Sequence, residues 1–154
     1  MANLKVLIPY NFTKGDESAL DFVLMRYGQE DSVSITLMHV HVPLPKVEVS
    51  DKTVMARLME NMAYLRQKIN DAETALAAAK KKLVAGGFHE DHVDVVFKQQ
   101  VKDVASDIID LVRQKQFTTV ILNRRPNQIT RFFTPSIAKK VARVLSDIDI
   151  ITVV

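Results

Sequence analysis

The sequence predicts an α/β fold: an open, five-stranded parallel sheet with helices on both faces. Two observations carry that expectation. Five short strand-like runs alternate with four helix-like segments along the chain, the βαβ rhythm of a parallel sheet covered on both sides. The chain also has 154 residues, 47% of them apolar and 25% charged, enough for one domain with a sizeable core. We therefore expect a single domain over residues 1–154, with no internal repeat, linker or low-complexity tract.

The first strand is Lys5–Pro9, a short run rich in β-branched residues. The first helix runs from about Asp16 to Tyr27. Ala19, Leu20, Val23 and Leu24 give it an apolar stripe at helical spacing, and Gly28 is a fitting stop. The second strand is Ser34–Val42, after which Pro43 and Pro45 force an extended loop. The third strand is Val93–Phe97. The third helix spans about Lys102–Gln114, with Val104, Ile108, Leu111 and Val112 pointing inward. The fourth strand is Thr118–Leu122, the fourth helix starts near Pro135, and the fifth strand is Ile148–Val154.

Between the second and third strands lies a long helical segment, Lys52–Ala85, free of proline and glycine and closed by Gly86-Gly87. Met55, Leu58, Met62, Leu65, Ile69, Ala72, Leu76, Ala79 and Leu83 form a seam in alternating steps of three and four, a heptad-like pattern. Such a helix extends ~50 Å, whereas a strand covers only ~17–20 Å. Part of it must overhang the sheet. Its first half is expected to pack against the Pro43–Val49 loop or a second subunit.

Composition excludes several classes. Cysteine is absent, so there is no disulfide framework and no thiolate metal site. No basic-plus-apolar leader precedes the first strand, and no apolar run approaches the ~18 residues that span a bilayer. A cytoplasmic protein without membrane contact is expected. Net charge is +3, too low to argue for nucleic acid by itself. The charge is uneven, however. From Asn123 to Val144 there are six basic residues (Arg124, Arg125, Arg131, Lys139, Lys140, Arg143) and no acidic ones. That stretch is either a solvated face or an anion site.

The most informative stretch is Thr118–Val154: strand, loop, helix, strand. Its loop sits where parallel α/β proteins bind phosphates, between the carboxyl end of a strand and a helix start. Yet no glycine lies between Asn123 and Pro135, and a phosphate-cradling loop needs glycine for positive φ and close backbone approach. Thr134 can cap the fourth helix and Pro135 suits its first position. The amides from Ser136 onward, with Arg124 and Arg125 as guanidinium forks, can attract an anion. The other reading is that the arginines cover a vestigial cleft.

This stretch resembles the C-terminal motif of the universal stress protein family, G-x-x-G-x9-G-[S/T] in its ATP-binding members. Laid on this chain, the glycines fall on Leu122, Arg125 and Pro135, and only the final hydroxyl, Ser136, survives. The opening KVLIPYNFTKGDESALDFVL resembles the family's V-P-x-D-G-S followed by an A-L pair, with Pro9, Thr13, Ala19 and Leu20 in place. Asn11 replaces the aspartate that helps hold nucleotide and metal, and Phe12 the glycine after it. ITLMHVHVP at Ile35–Pro43 resembles the second strand, which commonly ends L-H-V. The resemblance implies strand order 3-2-1-4-5 and the nucleotide-binding, adenine nucleotide α-hydrolase-like architecture, with a switch point between strands one and four. Its candidate, degenerate anion or nucleotide site is Pro9, Asn11, Thr13, Arg124, Arg125 and Ser136. It also implies a homodimer through the last strand, at Ile148, Ile150, Ile151, Thr152 and Val153. An unprotected edge of that composition invites pairing.

The remaining candidates are weaker. The K-D-V-A run at Lys102–Ala105 lies where relatives often have G-D-P-A, and Asp103 reads as a helix cap or a ligand contact. His39 and His41 share one face of the second strand, and His39 fits a structural histidine. His89-Glu90-Asp91-His92 has metal-binding residue types, but its spacing is no recognised ligand pair, and no metal is expected. No G-x-S-x-G elbow, Walker loop or paired acid and base appears, so no enzyme is expected. The sequence thus points to a universal-stress-protein-like regulatory module acting through protein contacts, with no cofactor. The alternative is a sensor binding ATP, AMP or another small anionic ligand.

Overall fold

The computed structural model describes residues 3–12, 14–28, 30–44, 52–123 and 135–153. Its elements run β1 (Leu4–Pro9), α1 (Lys14–Tyr27), β2 (Val33–His41), α2 (Lys52–Ala85), β3 (Val93–Gln99), α3 (Val104–Lys115), β4 (Thr119–Asn123), α4 (Pro135–Val144) and β5 (Asp149–Val153). A 3-10 turn at Glu90–His92, which the sequence reading does not anticipate, leads into β3. The strands form one sheet in the order β3-β2-β1-β4-β5, and every pairing is parallel. Both the fold class and the expected order are met.

Alternation along each strand builds two cores. Val6 and Ile8 of β1, with Ile35 and Leu37 of β2, face a layer made by α1 and α2, where Leu20, Val23, Leu76 and Leu83 are buried. Leu7 between them, with Met38 and Val40, faces α3 and α4, where Ile108, Val112, Val141 and Leu145 are buried. Successive side chains of a strand point to opposite faces, so a strand covered on both sides is mostly apolar, with Thr36, His39 and Thr119 as buried polar positions. Each fully buried aliphatic side chain contributes about 1.5–3 kcal/mol.

Helix termini follow local chemistry. The Asp103 carboxylate caps α3, accepting from the Ser106 amide. The same helix ends at Gln116, left-handed at φ 57, whose amide bonds Val112 O. β3 runs two residues beyond the expected end because Lys98 and Gln99 pair with Val40 and His41, a long-range pairing that local pattern does not reveal.

The long helix has the expected bounds. Its buried residues are Leu76, Ala79 and Leu83, all near its C-terminal end. Val54, Met59 and Tyr64 of the first half are 45%, 64% and 60% exposed. The expected packing of this half against the 43–49 stretch falls largely outside the described residues. Leu44, within that stretch, borders a groove with Met62 and Ile69.

The ends of α1 and α2 meet at glycines. A Cβ on Gly86 would lie 2.3 Å from the Leu24 methyl Cδ2, whereas Gly87 sits at φ 126 with a Cβ position 3.4 Å from Gly28 O. Leucine can shift its tip; backbone at positive φ cannot adapt to a side chain. Gly87→Ala is therefore expected to lower unfolding stability by about 1–3 kcal/mol and Gly86→Ala by less. Urea unfolding of the two variants checks the order, and a larger loss at Gly86 contradicts it.

Candidate functional site

Strand order reverses at β1, whose neighbours are β2 and β4. The carboxyl ends of these strands frame the cleft where open α/β sheets bind ligands. At the end of β1, Pro9 is buried and the Tyr10 amide continues the ladder to Met38 O at 2.7 Å. Phe12 follows in the left-handed region at φ 62, a conformation that costs a residue with a Cβ roughly 1–2 kcal/mol. Its ring contacts two others: the centroid of Tyr10 lies 5.3 Å away, edge-on, and that of His39 4.8 Å away. His39 stacks on Phe97 of β3 at 5.7 Å, and His41 stacks on the same phenyl ring at 4.8 Å.

Two buried polar residues organise this cluster. Asp16, 2% exposed in the first turn of α1, accepts from the Asn11 amide at 2.8 Å and fixes the loop after β1. The His39 Nδ1 lies 2.9 Å from Tyr10 O. Because carbonyl oxygen only accepts, that ring nitrogen carries the proton. Burial lowers the His39 pKa from its ordinary 6.5, against the opposing pull of the Tyr10 carbonyl. The Tyr10 hydroxyl is pushed up to about 12 by burial and by the nearby Asp16, Glu17 and Asp21 carboxylates, so it stays neutral. The cavity left between Pro9, Tyr10, Asn11, Met38, His39, Val40, Val104 and Ile108 is about 10 Å³, room for one water at most.

The loop from β3 to α3 forms the other wall. Asp107, fully buried, accepts from the Val101 amide at 3.0 Å and approaches Lys98 Nζ at 3.7 Å. Asp103 accepts from both the Ser106 amide, at 2.8 Å, and the Ser106 hydroxyl, at 2.9 Å. Lys140 of α4 donates to Ser106 Oγ at 2.9 Å and to Asp103 Oδ2 at 3.3 Å. The Asp103 carboxyl is held below its ordinary pKa first by the Ser106 amide, then by the Ser106 hydroxyl and Lys140. It acts as the helix cap. Lys140, one of the six residues of the basic stretch, is engaged in this link.

Of the site residues expected from sequence, Pro9 and Asn11 are brought together at the small cavity. The backbone of Ser136 lies in the first turn of α4. Thr13, Arg124 and Arg125 lie outside the described residues, as does the side chain of Ser136. The sequence reading misses the roles of Asp16, Asp107, Tyr10 and Phe97. For the two aspartates only burial reveals the role, since each sits at a helix position where solvent is the ordinary surrounding. His89 and His92 have ring centroids 5.6 Å apart, and His89 Nδ1 accepts from the Asp91 amide as the cap of the 3-10 turn. Among the described residues no group of three or more histidine and carboxylate side chains is placed to hold a metal.

His39 gives the fold a pH dependence. Its folded pKa lies below the unfolded value of 6.5, so the unfolded chain binds the proton more readily. Stability from this group is complete above pH 6.5 and is lost as pH falls toward the folded value. Asp103 acts in a separate window, below pH 3.8. Between pH 7 and 5 the wild type is expected to lose unfolding stability more steeply than His39→Gln. Parallel pH profiles of the two proteins in urea would contradict this.

The chain matches the universal stress protein family over residues 3–147. No curated protein matches it. Among solved structures it is similar to the universal stress protein UspA from Lactobacillus plantarum, with TM-score 0.69, 12% identity, and coverage of 100% of this chain and 99% of that one. A universal stress protein from Burkholderia pseudomallei gives 0.65 at 13% identity, covering 97% and 95%. One from Archaeoglobus fulgidus, solved in complex with dAMP, gives 0.59 at 15% identity, covering 99% and 98%. Identities this low establish a common fold rather than a common ligand. With the family match spanning nearly its whole length, the chain belongs to the universal stress protein family.

Proposed function

We propose that this chain is a cytoplasmic, non-enzymatic member of its family, a stress-response or regulatory module that works through protein contacts without bound ATP. The observation that carries the reading is the close packing of the described residues at the end of β1. Where a nucleotide base needs a pocket of hundreds of cubic ångströms, the cavity among the described residues beside β1 and β2 is about 10 Å³, bordered by the Tyr10 and His39 rings that Phe12 packs against. The missing glycines point the same way. Position 122 holds a leucine packed in the core, and position 125 an arginine, so neither supplies the glycine backbone of a phosphate nest.

The module is a homodimer through β5 in this reading. That strand lies at the sheet edge and pairs with β4. Ile148, Ile150, Ile151 and Val153 are half-buried against the two cores, and Thr152 is exposed. The free edge of such a strand is a ready template for its symmetry mate.

A second reading is supported by relatives solved with nucleotides: the Archaeoglobus fulgidus protein with dAMP and another universal stress protein with cAMP. Under it, this chain is a nucleotide or anion sensor at the switch point between β1 and β4, using Asn11, Thr13, Arg124, Arg125, Ser136 and the α4 amides.

Thermal unfolding with ATP, AMP and inorganic phosphate, with and without magnesium, separates the readings. A ligand at 100 times its dissociation constant adds about 2.7 kcal/mol. No shift is expected at millimolar nucleotide. An adenine-dependent shift that Arg125→Glu abolishes would establish the sensor. For the β5 contact, Thr152→Arg sets like charges across the two-fold axis, and light scattering is expected to show the particle mass at least halved. An unchanged mass places the dimer elsewhere.

A further inference from the structure

The apolar seam of α2 outlasts the sheet that it packs on. From Met55 to Leu83 it steps by three and four residues without interruption, but burial begins only at Leu76. Leu65 is 36% exposed, and Met55, Leu58, Met62 and Ile69 are half-exposed. Val54 and Met59, which flank the seam, are 45% and 64% exposed and widen the apolar face. Between this overhang and the carboxyl edge of the sheet runs a groove of about 480 Å³, bordered by His41, Leu44, Met62, Ile69 and Gln99. A seam with a strict seven-residue repeat suits another helix with the same repeat.

We propose that the groove and overhang are filled by the same stretch of α2 from a second copy of this chain, running antiparallel. Direction follows from the fold. Beyond Leu76 the seam is covered by the chain's own sheet, so a parallel partner would drive its sheet into that one. An antiparallel partner carries its sheet to the far end. Register follows from burial and charge. With the two-fold axis between residues 63 and 64, Met55 lies against the partner's Ala72, Leu58 against the partner's Ile69, and Met62 against the partner's Leu65. The overlap of ~18 residues, ~27 Å long, stops short of Leu76. At the flanks, Lys52 faces the partner's Glu73, Met59 lies along the stem of the partner's Arg66, and Asn61 faces the partner's Lys68. No like charges meet. Sliding one heptad toward the N-terminus shortens the overlap and sets Lys52 against the partner's Arg66. Sliding one heptad the other way runs into Leu76 and Ala79, which the sheet already covers.

Light scattering on Thr152→Arg, with and without Met62→Glu/Leu65→Glu, tests this independently of β5. With both contacts the wild type is expected to be a four-subunit particle, two β5 dimers joined through α2, and the Thr152→Arg protein a two-subunit one. Adding the glutamates halves its mass with no change in far-ultraviolet circular dichroism. A monomeric Thr152→Arg protein overturns the proposal, as does a mass that the glutamates leave unchanged. If they lower the unfolding temperature at constant mass, the seam is covered by the chain's own residues and the proposal fails. Orientation is read by disulfide trapping, since the chain has no cysteine. Oxidising an equimolar mixture of Met62→Cys and Leu65→Cys is expected to give mixed dimers in several-fold excess over either homodimer. Predominant Met62→Cys homodimers would mean a parallel pair and overturn the geometry.

Discussion

The position of β1 is the constraint on which the rest of the molecule depends. It is the strand at which order reverses, flanked by β2 and β4, and Val6, Leu7 and Ile8 are fully buried on alternating faces. One strand thus joins both cores. A one-residue slip in its pairing would exchange its α1–α2 face for its α3–α4 face. Its register with β2, from Leu4↔Val33 to Pro9↔Met38, therefore also decides what stands at its carboxyl end. Tyr10, Asn11 and Phe12 are delivered to the cleft beside Met38 and His39 because Val6 and Ile8 are locked below them.

The cleft is shaped by the same economy. Buried polar groups must be bonded, and each one here has a backbone partner. Asp16 holds the Asn11 amide, Asp107 the Val101 amide, and His39 the Tyr10 carbonyl. Groups so committed are not readily turned to a ligand. The aromatic rings then occupy what remains. These polar groups face inward and stabilise the loops.

Much of the fold is legible in the sequence because its signals are local. The bounds of α2 follow from an unbroken seam and a double glycine, and the end of α1 from Gly28, although α1 begins at Lys14, two residues before the expected Asp16. Strand ends are less so. Gln99 belongs to β3 only because His41 lies opposite it, and no run of neighbouring residues encodes that. In the cleft, the resemblance points to Asn11 and Phe12 as departures. Their consequence lies in residues up to about 85 positions apart, since Phe12 meets His39 and His39 meets Phe97. Asp107 is hidden for a simpler reason. A single carboxylate on an amphipathic helix looks like its solvated face until burial shows otherwise.

The left-handed backbone at Phe12 has a wider consequence. The family pattern places glycine at this position, and the chain still bends at φ 62 as a glycine would. The main-chain path has outlived the residue that made it easy. At this point side-chain volume, rather than the main-chain path, therefore sets what the end of β1 can hold. Glycine at position 12 would keep the same main-chain path and remove the ring that packs on Tyr10 and His39, so room at this point can be made or taken without rebuilding the scaffold.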